Sequence, residues 1–416
     1  MRHPRRIAMA GFAAAALVLA GCGGDAGDGN DTGDTGDTGD AAENGDTGDD
    51  GGEASGDPVI VGGIFDLSGA TGDVGTPYAE AVRDYVEWRN TTQNGVGGRP
   101  LELDWQDYAY DVATAEQHYS QYVANGAVAI QGWGTGDTEA LRDMVANDEL
   151  PFMSASWAET LIDPEETPFN FVVGSTYSDQ MRVALKWIAE DAGGAAEVAV
   201  FHHDSPFGQS PVEDGQAYID EQGLDLGYET YPMPGGATDY VGELSRAQSQ
   251  GAQYIIVQNV ASPAALLAQN VASQGLDMQI VCLNWCASEL FVELAGEDAE
   301  GTVGVHPMVP PSATDSGLDS VREFLGDGID DQNVFYVQGW YTMHVMAEAI
   351  AQAVESGEEV TGALVRETLQ TMDPVDMEGA SQDVDFTAES HRGMTDSNVY
   401  RVEGGILALE QEGVRP

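Results

Sequence analysis

Gly132-Trp133-Gly134-Thr135-Gly136 is the segment of this 416-residue chain whose residue types most directly permit chemistry. Glycines let backbone N–H groups come close to a ligand, and a following helix N-terminus carries partial positive charge. The Thr135 hydroxyl adds a further donor. The arrangement suits a carboxylate or a carbonyl, although a tight structural loop has the same spacing. A dinucleotide fingerprint needs Gly-x-Gly-x-x-Gly at the first strand turn, whereas here the spacing is Gly-x-Gly-x-Gly at a later one. His202-His203-Asp204 places imidazoles beside a carboxylate, but neighbouring side chains of a strand face opposite sides and do not share a metal easily. Cys282 and Cys286 frame Cys-Leu-Asn-Trp-Cys. On a strand-to-loop bend that spacing allows a disulfide, and no further ligands gather there for a metal. Neither a Gly-x-Ser-x-Gly elbow nor a His-Glu-x-x-His helix occurs. No catalytic residue, cofactor or metal site is therefore expected.

These groups must be positioned by an alternation of strand-like and helix-like segments, the pattern of a parallel α/β fold. Strands are expected at 59–65, 101–105, 127–130 and 151–154, with helices at 77–88 and 112–123. Asp137 is a candidate cap for the helix that buries Leu141, Met144 and Val145. A second series follows. Ser178 or Asp179 caps a helix burying Met181, Leu185 and Ile188, then strands at 198–201, 254–257 and 279–283 alternate with helices at 213–221 and 240–250. Ser262-Pro263 reads as a cap and first-turn pair. A long helix is expected at 334–354. Asn259 and Trp285 then stand at strand ends, as do Asp66 and Asp204.

The N-terminus is of another kind. Arg2, Arg5 and Arg6 precede an apolar run that ends in Leu19-Ala20-Gly21-Cys22. The run is too short to span a bilayer, which needs about 20 apolar residues, and reads as an export signal, 1–21. The small pair before Cys22 is similar to the lipobox of bacterial lipoproteins, which implies that Cys22 is acylated. Residues 22–57 carry Asp-Thr-Gly repeats from Asp31 to Asp40 and no large apolar side chain. Such a segment cannot bury enough surface to fold and reads as an acidic tether. Of the chain's 71 acids, 12 lie in the tether, and 3 of its 15 bases lie in the signal. Residues 58–416 keep 12 bases against 59 acids, a net charge of −47, with Lys186 the sole lysine. This surface repels nucleic acid and anionic headgroups. It suits a salt-rich medium, and a compositional bias toward Ala, Gly and Asp gives the same pattern.

The order and spacing of several segments resemble the solute-binding proteins of ABC importers for branched-chain amino acids and amides, the type I periplasmic-binding family. They are Ile64-Phe65-Asp66-Leu67-Ser68-Gly69, Gly95-Val96-Gly97-Gly98-Arg99-Pro100-Leu101, Tyr177-Ser178-Asp179-Gln180, Phe207-Gly208, Thr238-Asp239-Tyr240 and Ala295-Gly296-Glu297. The resemblance implies two doubly wound parallel-sheet lobes joined by a three-stranded hinge. One lobe comprises 58–174 plus 305–375, the other 175–304 plus 376–416. It implies a monomeric, non-enzymatic receptor, lipid-anchored on the extracytoplasmic side, that captures a small ligand between its lobes and meets a permease/ATPase complex. A sensor of the same fold and an exported hydrolase are the alternatives. The resemblance makes Trp133, Gly134 and Thr135 one ligand loop and Ala155, Ser156 and Trp157 a second, with Phe207, Asn259 and Trp285 on the other lobe. Trp133, Trp157 and Trp285 would then stack on a planar ligand or surround an alkylammonium. The acidic residue that pairs with an amino-acid ammonium in such binders has no counterpart around Trp285. Glu289 is distant, and Asp66 or Asp204 is left to supply the charge.

Overall fold

The computed structural model describes residues 54–314 and 317–416; the export signal, Cys22 and the tether through residue 53 lie outside the described residues. Five strands form a parallel sheet in the order β2-β1-β3-β4-β5: β1 (Val59–Phe65), β2 (Leu101–Asp107), β3 (Ala129–Gly132), β4 (Phe152–Ser154) and β5 (Asn170–Phe171). The second sheet uses β6 (Ala196–His203), β7 (Leu226–Met233), β8 (Tyr254–Gln258), β9 (Gln279–Cys282), β10 (Val303–His306), β11 (Ser397–Glu403) and β12 (Ile406–Val414). Its order is β12-β11-β10-β9-β8-β6-β7. β6 to β10 run parallel, and β11 and β12 extend the sheet as an antiparallel pair. The fold is α/β, with two doubly wound lobes. The central strands are near-continuous apolar runs because helices cover both faces of a parallel sheet. β7, half-exposed at an edge, lacks that signature and carries Pro232, which an edge strand tolerates.

Helix starts fall earlier than expected, and side chains on either side of the start set the turn. The first helix runs Gly72–Thr92 and not from Pro77, which lies inside it. Asp66 shapes its entry by accepting from Gly69 N (2.6 Å), Thr71 N (2.9 Å) and Thr71 Oγ1 (2.7 Å). Helix Thr135–Asn147 is capped at Gly134, and Asp137 sits at its third position, accepting Gly134 N–H at 3.1 Å. Helix Tyr177–Ala192 is capped by Thr176, whose hydroxyl accepts Asp179 N–H at 3.1 Å. Helix Ala261–Ser273 begins before Ser262.

The chain crosses between lobes after β5, after β10 and again through residues 385–396. Val172 pairs with the last crossing, donating to His391 O (2.9 Å) and accepting from Gly393 N (2.8 Å). Because β10 continues to His306, its crossing follows that residue and does not begin at 305. Residues 376–384 stay with the first lobe's long helix, Val334–Glu355, through Tyr341 OH–Glu378 (2.7 Å) and His344 Nε2–Asp376 O (3.2 Å). That helix is apolar nearly all round and packs on helix Gly72–Thr92, with Arg89 pairing to Glu348 at 2.6 Å. At the crossings Arg392 holds Glu159 (3.0 Å) and Asp179 (3.3 Å), and Arg182 adds a second guanidinium to Asp179 at 3.0 Å.

Candidate ligand site between the lobes

In open α/β sheets, ligands bind beyond the carboxyl ends of the strands where strand order reverses. Here the ends of β1, β3 and β4 face those of β6, β8 and β9 across one cavity. It is lined by Thr71, Tyr110, Trp133, Gly134, Thr135, Ala155, Tyr177, Phe207, Val260 and Trp285. The cavity volume is ≈ 20 Å³, room for about one water, so the two lobes are closely packed around it.

Aromatic rings form the wall, and their polar edges are tied to the protein. Trp133 donates Nε1–H to Thr71 Oγ1 (2.8 Å), which donates on to Asp66. Trp285 donates Nε1–H to Tyr177 OH (2.9 Å), and that hydroxyl reaches Ala155 O at 3.3 Å. Trp133 and Trp285 meet edge to face with ring centroids 5.0 Å apart, and Tyr177 meets Phe207 in the same way at 5.4 Å. Phe335 backs Trp285 by stacking at 5.3 Å. Burial pushes the Tyr177 phenol up to about 12, so it remains a neutral hydroxyl. The Cys282–Cys286 disulfide, with Cα atoms 5.2 Å apart, closes the turn that follows β9 and presents Trp285. Tyr110 arrives through a strained turn in which Ala109 and Tyr110 have φ of 52° and 59°. Asp107 steadies it by accepting Leu67 N–H (3.0 Å) and Ala109 N–H (2.9 Å). Gly134 permits this packing, since a Cβ there would lie 2.6 Å from Tyr108 OH and 2.8 Å from the Tyr110 ring.

Thr135 Oγ1 pairs with Ser156 Oγ at 2.7 Å, joining the two loops of the first lobe. Ser156 N–H is taken by Ser154 Oγ at 3.1 Å. Behind Gly134, Asp137 accepts from Tyr108 OH (2.7 Å), and burial pushes its carboxyl up to about 7 against the lowering pull of that bond.

Six of the nine expected residues line the cavity: Trp133, Gly134, Thr135, Ala155, Phe207 and Trp285. Ser156 lies one layer behind, bonded to Thr135, and Trp157 is fully buried beside Trp285 with centroids 6.2 Å apart. Asn259 turns away. Its Oδ1 accepts Val260 N–H (2.8 Å), and it borders a neighbouring groove with His203 and Met233. Asp66 is spent on its own turn, Asp204 is exposed, and Glu289 accepts from Ser312 and from Val334 N (2.9 Å) at another helix start. His203 bonds Ser205 Oγ at 2.8 Å and sets its ring against Tyr110 and Phe207. Thr71, Tyr110, Tyr177 and Val260 were not anticipated. Of these, Tyr177 alone stood in a motif that drew attention.

Residues 58–406 match the family described as periplasmic binding protein. Over 276 residues the chain is 21% identical to a Leu/Ile/Val-binding protein homolog 2 of Brucella abortus, covering 66% of this chain and 73% of that protein. Among solved structures it is similar to a branched-chain amino acid ABC transporter protein from Thermus thermophilus with bound valine. That match has a TM-score of 0.80 and 26% identity over 86% of this chain and 97% of the other. A substrate-binding protein of an ABC transporter from Aeropyrum pernix matches with a TM-score of 0.76, 26% identity and the same coverages of 86% and 97%. A fatty acid ABC transporter substrate-binding protein from Thermomonospora curvata shares the fold, with a TM-score of 0.77 at 18% identity over 88% and 94%.

Proposed function

The chain belongs to the periplasmic binding protein family, and from that premise we propose that it is the extracytoplasmic solute receptor of an ABC importer. It captures a small amino-acid-like or amide-like ligand between its lobes and presents the closed form to a permease/ATPase complex as a monomer. The observation that carries this reading is a cavity built jointly by strand ends of both sheets. Neither lobe completes it alone, so ligand binding and lobe closure are one event. The three crossings supply the hinge.

Each lobe contributes distinct groups. The first offers Thr135, backed by Ser156, and the N-terminus of helix Thr135–Asn147 for a carboxylate or amide oxygen. The second brings Trp285, Tyr177 and Phe207 down as a lid. Closure is held in part by Asp73 of the first lobe, which accepts Ser262 N–H at 3.0 Å at the start of helix Ala261–Ser273. No helix among the described residues is long and apolar enough to cross a membrane. Acylated Cys22 attaches the receptor in this reading, and the tether sets its local concentration near its permease.

A thermal-shift screen of the purified protein against amino acids, amides, quaternary amines and aromatic acids tests the reading. A true ligand raises the melting temperature by mass action and draws together spin labels placed on the two lobes. A ligand that stabilises without changing the inter-lobe distance refutes capture by closure. A Cys22→Ser protein that stays on the membrane after export refutes the anchor.

A further inference from the structure

Five rings (Tyr110, Trp133, Tyr177, Phe207 and Trp285) surround the cavity, and no Asp, Glu, Lys, Arg or His lines it among the described residues. Three of the acceptors around it are already engaged. Thr71 Oγ1 takes the Trp133 N–H, Tyr177 OH takes the Trp285 N–H, and Ala155 O takes the Tyr177 hydroxyl. A primary ammonium brings three N–H donors, and burying them without acceptors is costly. Negative charge nevertheless lies one layer behind the wall. The buried Asp66 carboxylate stands behind Thr71. Residues 58–416 as a whole carry 12 bases against 59 acids, a field that draws cations toward the cleft. The site thus supplies negative potential and π faces, but few free hydrogen-bond acceptors.

Building on the receptor reading above, we propose that the cavity takes a small quaternary ammonium solute, its methylated nitrogen held against the ring faces. Such a head has no N–H to satisfy, attracts ring quadrupoles, and offers methyl surface to Val260 and the rings. The same argument accounts for the missing acidic partner near Trp285.

The matched pair glycine and trimethylglycine tests this directly, since they share a carboxylate and differ by three methyl groups. Calorimetric titration of the purified protein with trimethylglycine, choline, glycine, valine and isobutyramide is the experiment. Expected is binding of trimethylglycine or choline about tenfold or more tighter than glycine or valine, the scale of a desolvated cation–π contact. Trp285→Leu keeps apolar area but removes the ring, and should lose most of that preference, whereas Trp285→Phe should retain it. Phe207→Leu supplies the same contrast should the Trp285 variants fail to fold. Valine or isobutyramide binding as tightly as the quaternary amines overturns the ligand class and leaves the receptor intact. Binding of no member of the panel likewise overturns the ligand class, and the receptor reading then rests on the wider screen and the inter-lobe distance.

Discussion

Acidification should reveal His306 as a silent weak point of the inter-lobe crossing. The side chain is fully buried at the end of β10, its Nδ1 accepting Met308 N–H at 3.0 Å and its Nε2 lying 3.1 Å from Gln338 Nε2. Burial pushes its pKa down to about 3, against about 6.5 in an unfolded chain. The folded state therefore binds fewer protons than the unfolded one between these values. The histidine's contribution is intact above about pH 6.5 and is lost progressively as pH falls toward about 3, at about 1.4 kcal/mol per pH unit. At about pH 5 the loss from this residue is roughly 2 kcal/mol. Other buried groups titrate too. His391, pushed down to about 4 by burial, acts in the same direction, and Asp137, pushed up to about 7, acts in the opposite one. Comparison with His306→Gln cancels them. Urea denaturation of both proteins between about pH 7.5 and 5 should show a shallower pH slope for the variant, by about 1.4 kcal/mol per unit below pH 6.5, whatever its absolute stability. Equal slopes would mean that His306 titrates freely, and that water reaches the crossing between the lobes.

Asp73→Ala removes the carboxylate that meets Ser262 N–H across the cleft. It should weaken affinity for a ligand found in the screen by about fivefold, the scale of a charge-assisted cap, and Asp73→Asn should weaken it less; unchanged calorimetric affinity would show the contact to be incidental. Arg392→Met leaves Glu159 and the buried Asp179 short of a partner. With Arg182 still on Asp179, the expected loss is about 3 kcal/mol by chemical denaturation, near the lower end for a broken buried pair. Gly208→Ala places a Cβ about 2.0 Å from His203 O, a backbone atom that cannot swing away; destabilisation of about 2 kcal/mol or more and displacement of Phe207, read as reduced ligand affinity, should follow.

Much of the fold was legible because its signals are local. β1 is an unbroken apolar run ending in Asp66, and the Gly/Thr loop after β3 is a strand-to-helix turn whose glycines have a stated backbone need. The ordered series of such segments led to the family. The misses are equally specific. β7 was hidden by half-exposure and Pro232, β10 by its short length, and β11–β12 by antiparallel pairing with no helix between them. Helix starts slipped because Asp66, Asp137 and Asp73 act on turns from positions that spacing alone does not reveal.

The cavity wall divides along the same line. Trp133, Gly134, Thr135 and Ala155 belong to loops that directly follow strands, so chain order places them. Tyr110 depends on two left-handed residues braced by Asp107, and Tyr177 faces the cleft because Trp285, more than a hundred residues away, donates to its hydroxyl. Asn259 was misplaced although its strand was read correctly, since its carbonyl oxygen turned to the adjoining backbone N–H. Residue types and periodicity specify elements and the ends from which ligands are approached. Which side chains converge there follows from docking two lobes that the chain crosses three times, and that is a property of contacts far apart in sequence.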